Sequence, residues 1–141
     1  MSSPLNNKNI HGVGQITTDA TQTVAATIAT FTDRAYQVIA KVLATETTDH
    51  DEIASYLLVA AFKNDGGTLT QVGSTTNLST LESTGGWAVD FAVSGTTIQI
   101  LVTGAADTSI SWLVDAEIKN LGQVMASSGN TPNGGIIGEE A

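Results

Sequence analysis

Residues 87–119 read WAVDFAVSGTTIQILVTGAADTSISWLVDAEIK, and their period decides the fold. Trp87, Val89, Phe91 and Val93 alternate with Ala88, Asp90, Ala92 and Ser94, the period of two that sends successive side chains to opposite faces of a half-buried strand. Ser94-Gly95 makes a tight turn. Beyond it Ile98, Ile100 and Val102 take one face and Thr97, Gln99, Leu101 and Thr103 the other, completing a hairpin. A second turn, Gly104 to Thr108, leads to Ile110, Trp112, Val114, Ala116 and Ile118, set against Ser111, Leu113, Asp115, Glu117 and Lys119. The reading is three consecutive antiparallel strands.

Upstream the pattern has two solutions. Residues 21–31, 34–45 and 52–62 are rich in alanine, and Tyr36, Ile39, Ala40 and Leu43 also fit one helical face. Strands are favoured by the Val, Ile, Thr, Tyr and Phe content and by turn signals at short spacing, which places Ala54, Tyr56, Leu58, Ala60 and Phe62 toward the core. Asn64-Asp65-Gly66-Gly67 is a hairpin turn whose glycines allow positive φ, and it feeds a strand through Thr68 to Gly73. From Ser74 to Gly86 the alternation is lost in Ser, Thr and Gly, a stretch read as the passage from one sheet to the other. With a short strand near Gly12 to Thr18, the fold is an all-β antiparallel sandwich of seven or eight strands, jelly-roll or Greek-key in type. The domain is placed at residues 17–121, between an N-terminal arm, 1–16, and a Gly-rich C-terminal arm, 122–141.

Composition narrows the function. At 141 residues the chain has the size of one domain able to bury a core without covalent staples, and it has no cysteine for a disulfide, a thiolate metal site or a nucleophile. Fourteen acids against five bases give a net charge of −9, and Lys8, Arg34, Lys41, Lys63 and Lys119 are scattered singly. Nucleic acid is excluded as a partner, because phosphate binding draws on clustered Lys and Arg. An anionic membrane surface is excluded on the same ground, and no apolar run has the length needed to cross a bilayer. The start, MSSPLNNKNI, lacks a signal-peptide core, so a soluble protein made in a cytoplasm is expected.

Groups able to do chemistry are few. Glu46, Asp49, His50, Asp51 and Glu52 form the one dense titratable cluster, and Asp49, Asp51 and Glu52 are the candidate ligands for a hard cation such as calcium. Their spacing departs from an EF-hand loop, and an acidic connection between strands is ordinarily solvated, so no metal and no cofactor is assigned. His11 and His50 are the only histidines, and no serine stands in a nucleophile elbow. Gly12-Val13-Gly14 shares only its glycines with a dinucleotide fingerprint and is read as a flexible joint. Trp87 and Trp112 sit on apolar strand faces and are assigned to the core rather than to sugar stacking. No enzyme is expected.

Two features point to assembly. Leu57, Val59 and Ala61 stand opposite the presumed core face, as do Ile39 and Leu43, and a strand apolar on both faces is covered on both. The second cover is either another subunit or the chain's own loops and arms. The arms themselves are polar or Gly-rich, a composition suited to extended segments that order on binding. Leu57 and Val59, with Leu5, Ile10, Val13, Ile136 and Ile137 from the arms, are the candidate contact residues.

The stretch from about Thr17 to Asn120 resembles a recurrent β-sandwich domain of bacteriophage virion proteins, found in capsid decoration (cement) proteins and in fibre or tail proteins. The resemblance is carried by TVAATIAT (23–30), ASYLLVAAFKNDGGTLTQVGS (54–74), WAVDFAVSGTTIQILVTGAA (87–106) and SISW (109–112). It implies a structural, usually trimeric role and supplies no catalytic residue. The function it implies is a decoration protein on the outer surface of the phage head, a homotrimer whose arms clamp neighbouring major capsid protein subunits. The alternative is a tail or fibre component for host attachment, with carbohydrate as a possible ligand class. The chain is short for a repetitive shaft, which favours the first.

Overall fold

The computed structural model describes residues 9–122, and they form eight strands and no helix. These are β1 (Ile10–Thr17), β2 (Thr23–Ala29), β3 (Arg34–Glu46), β4 (Ile53–Asp65), β5 (Thr68–Glu82), β6 (Ala88–Ser94), β7 (Thr97–Thr103) and β8 (Ile110–Leu121). A five-stranded sheet of order β1-β8-β3-β4-β5 packs on a three-stranded sheet of order β2-β7-β6, and every neighbouring pair is antiparallel. The expected sandwich is thus the observed one. Within the larger sheet β3, β4 and β5 follow one another by tight connections and β8 returns beside β3, which is Greek-key order. The alanine-rich segments are strands because their apolar residues alternate in burial at a period of two along β3 and β4, so that a helix would spread them around its circumference.

Two turns follow directly from residue chemistry. Gly66 and Gly67, at φ 61° and 93°, supply the two left-handed residues of the β4–β5 hairpin, whose flanking pair is Asp65 and Thr68. Asn64 holds this turn from below. It is buried, its Nδ2 donates to Thr30 Oγ1 (3.0 Å), and its Oδ1 accepts the Gly67 N–H (3.1 Å).

The structure corrects the sequence reading at three places. β6 and β7 do form the expected hairpin, around Gly95-Thr96, but β7 does not pair with β8: the chain leaves the smaller sheet after Thr103 and enters the larger one at Ile110. Gly104 makes that exit possible, because a Cβ there would lie 2.6 Å from Thr17 Oγ1 and 3.2 Å from the Asp19 carbonyl oxygen. Second, residues 74–82 are not a crossing segment but the continuation of β5, and the crossing is confined to residues 83–87. β5 is an edge strand whose core-side positions after Leu69, among them Gln71, Asn77, Thr80 and Glu82, are polar, since the three-stranded sheet is too narrow to cover them. Third, the short strand expected near Gly12 to Thr18 is β1, which begins at Ile10, inside the segment 1–16 given to the N-terminal arm, and pairs with β8. Gly12-Val13-Gly14 is accordingly no free joint. Gly12 takes φ 64° at a break in register, and its N–H donates to Asp115 Oδ1 (2.6 Å), which ties the bulged edge strand down.

The core lies between the sheets and centres on Trp112. Its indole is 1% exposed, stacks near Tyr56 (6.4 Å between centroids) and meets Trp87 at 6.0 Å, while Nε1 donates to the buried Thr17 hydroxyl (2.9 Å). Both tryptophans are core residues, as their strand faces predict. Phe62 and Phe91 close the other end edge to face at 5.8 Å, and Ile98, Ile100 and Val102 fill the middle from β7.

Candidate interaction surface

From Tyr36 to Ala44 in β3, Ala54 to Asn64 in β4 and Ile110 to Ile118 in β8 the even-numbered residues are buried between the sheets, so the odd-numbered ones face away from the core. Antiparallel register lines these up in rows across the five-stranded sheet. One row runs Ile16, Ser111, Thr45, Ile53, and the next Gly14, Leu113, Leu43, Ser55, Leu81. Below them lie Asp115, Lys41, Leu57 and Ser79, then Glu117, Ile39, Val59 and Thr76. Among these, Ile16 is 60% exposed, Leu113 47%, Leu43 53%, Ile53 50% and Leu81 66%. Leu57, Val59 and Ile39 are half-buried by their own neighbours on the sheet. Among the described residues nothing covers them. The corresponding face of the smaller sheet is more mixed, with Val24, Leu101 and Ala92 beside Thr97, Gln99, Thr103, Asp90 and Ser94.

The surface has relief. Ser55 and Ser79 are small side chains set among Leu43, Leu57 and Leu113, and they leave a shallow hollow of about 460 Å³ in the middle of the sheet. Its polar rim is Lys41 and Asp115. Lys41 Nζ lies 3.7 Å from Glu117 Oε2, both side chains being more than half exposed, so this pair contributes little to stability. A second recess, of about 350 Å³, opens between the sheets and is lined by Ile10, Ile28, Phe31, Tyr36 and Ile118. At its mouth the Arg34 guanidinium stands 5.7 Å over the Phe31 ring and donates to Asn120 Oδ1 (2.9 Å).

The other sequence candidates fall as follows. Leu57 and Val59 lie side by side on the outward face. Ile10 and Val13 are partly buried against the chain's own core, and Ile10 also lines the recess between the sheets. Leu5, Ile136 and Ile137 lie outside the described residues. Asp49, Asp51 and Glu52 occupy the β3–β4 connection but do not converge: Asp49 Oδ1 accepts the Asp51 N–H (3.1 Å), and Glu52 Oε1 accepts the Ser83 hydroxyl (2.8 Å). Among the described residues no three His, Asp or Glu side chains come together as a metal site. Glu46, hydrogen-bonded to Asp49 and repelled by the surrounding acids, has its carboxyl raised above the usual range. His50, at φ 59° in the same connection, places Nδ1 3.4 Å from Thr45 Oγ1, while His11 lies on β1. Leu113, Leu81, Ile53 and Ile16 gave no signal in the sequence, because the outward positions nearest each of them in its own strand carry Ser, Asp or Gly. Only the cross-strand register gathers them.

No family model matches the chain, and no curated protein matches it. Among solved structures it is similar to the tailspike protein of Acinetobacter baumannii phage AM24, with a TM-score of 0.43 and 10% identity. The match covers 86% of this chain, which spans 28% of the length of that tailspike.

Proposed function

We propose that this chain is a non-catalytic structural component of a phage particle that works by protein–protein contact. The observation that carries the reading is the outward face of the five-stranded sheet, where Leu43, Leu113, Leu81, Ile53 and Ile16 stand exposed together. Exposed apolar residues gathered on one sheet face mark contact sites, because leaving them in water forgoes burial worth about 25 cal/mol per Å². The titratable groups support the same reading, being solvated or held by local hydrogen bonds rather than gathered in a cleft. The phage setting rests on the ordered strands and turns of residues 17–120, which resemble virion β-sandwich domains.

Within the particle the favoured place is the outer surface of the head. There the chain is a decoration protein associated with itself and bound across major capsid protein subunits, where modest contacts repeated at symmetry-related sites add through multivalency. Mixing the purified protein with particles stripped of it, and locating it by electron microscopy, tests this directly. Density over the joints of the shell is the expected result. Binding to host envelope alone, or density at a tail tip, overturns the head assignment in favour of an attachment role.

A further inference from the structure

We infer that the recess between the two sheets is a docking site for the chain's own C-terminal segment, with Val124 and Met125 as the side chains that fill it.

The recess asks for a peptide. Ile10 from β1, Ile28 from β2, Ile118 from β8 and the Phe31 ring form its apolar wall, and Phe31 is 57% exposed. At about 350 Å³ it is large enough for an aliphatic side chain. Tyr36 adds a polar requirement. It lines the recess, is only 4% exposed, and its hydroxyl accepts the Phe31 N–H (2.7 Å), while its own proton has no acceptor among the described residues. A buried donor left unpaired carries its full desolvation penalty, so the fitting occupant brings an oxygen as well as apolar surface. A backbone carbonyl beside an apolar side chain supplies both.

The place where the chain leaves the fold selects the segment. β8 ends at Leu121, and Gly122 lies so close to Arg34 that a Cβ there would stand 3.2 Å from Nη1 and 3.3 Å from Cζ. The same guanidinium covers Phe31 and donates to Asn120, which also lines the recess. The chain therefore departs at the rim of the recess. Gln123, Val124 and Met125 come next, and at about 3.5 Å per residue Met125 stays within roughly 10 Å of Gly122. Methionine, unbranched and flexible, suits an irregular gap of this kind. A segment tethered this near acts at high effective concentration and needs little intrinsic affinity. Asn9 lines the recess at the other end of the fold, but the nearest apolar side chain before it is Leu5, set behind Asn6, Asn7 and Lys8.

Met1 and Met125 are the only methionines, so carbon-13 labelling of the methionine methyls in the full chain gives two signals to read. One of them, identified by its loss in Met125→Leu, is expected to be displaced by the Phe31 and Tyr36 rings. It is also expected to show nuclear Overhauser contacts to the Ile28 and Ile118 methyls, unchanged on dilution of the protein. Val124→Asp is expected to return it to the position of free methionine. A Met125 methyl at that position in the parent chain, or one that Val124→Asp does not move, overturns the inference. Contacts that fade on dilution place the segment on another copy, and contacts from Leu5 in its stead give the recess to the N-terminal segment; either result overturns it equally.

Discussion

Replacing Gly104 with alanine tests the junction on which the sandwich turns. Gly104 lies between β7 of one sheet and β8 of the other, and its φ is outside the left-handed region, so alanine brings no backbone strain of its own. What it brings is a Cβ 2.6 Å from Thr17 Oγ1, 3.0 Å from Ile110 Cδ1 and 3.2 Å from the Asp19 carbonyl oxygen. Two of those neighbours are fixed, one by core packing and one by backbone. The Thr17 hydroxyl must therefore move, and it is the acceptor for the buried Trp112 indole N–H. Overpacking costs about 1–3 kcal/mol, and an indole N–H left without its partner about 1–3 kcal/mol more. A combined loss of about 2–6 kcal/mol is expected. Urea unfolding followed by tryptophan emission, at one fixed protein concentration, measures it through Trp87 and Trp112. Thr17→Ala should cost about 1–3 kcal/mol alone, yet it removes the nearest obstacle. The double variant should then fall short of the sum by at least about 1 kcal/mol. A Gly104→Ala loss below about 0.5 kcal/mol, or additivity within that margin, refutes the account of the junction.

Asn64→Ala removes both hydrogen bonds that hold the β4–β5 turn to Thr30 and Gly67, and a loss of about 1–3 kcal/mol is expected in the same unfolding assay. Tyr56, whose hydroxyl donates to Glu82 Oε2 (2.5 Å), has its ionisation pushed far above the ordinary tyrosine value of 10.0 by burial and by that carboxylate. Its folded pKa is raised, so its contribution is fully present below pH 10 and is lost as pH rises above it. The loss of stability above pH 10 should be shallower in Tyr56→Phe, and absorbance at 295 nm should show Tyr56 titrating only on unfolding. Glu46 is raised as well, by its hydrogen bond to Asp49 first and by neighbouring acids after burial. The same sign holds: its contribution is present below the ordinary value of 4.5 and lost as pH rises through the folded pKa. Glu46→Gln should therefore raise Tm at pH 7 and leave it unchanged at pH 3.

The strands of the core were legible because burial imposes its period on the chain. Ile98, Ile100 and Val102, and Ile110 through Ile118, are buried at the alternate positions where their spacing put them. The same held for Ala54 to Phe62, where β-branched and aromatic content was enough to decide against a helix. β5 was cut short for the converse reason, since an edge strand with an uncovered inner side has no apolar period to show.

What the residues alone determined is the strand inventory, the core faces, the β4–β5 turn and the poverty of groups able to do chemistry. Each depends on neighbours a few positions apart or on composition. Which strand pairs with which was decided only in three dimensions. The partnership of β8 with β1 and β3 rather than β7 depends on Gly104 meeting Thr17 across 87 positions of sequence, a contact that no local pattern encodes. The interaction surface is of the same kind. Leu43, Leu57 and Leu113 come from three strands, and the antiparallel register brings them onto one face.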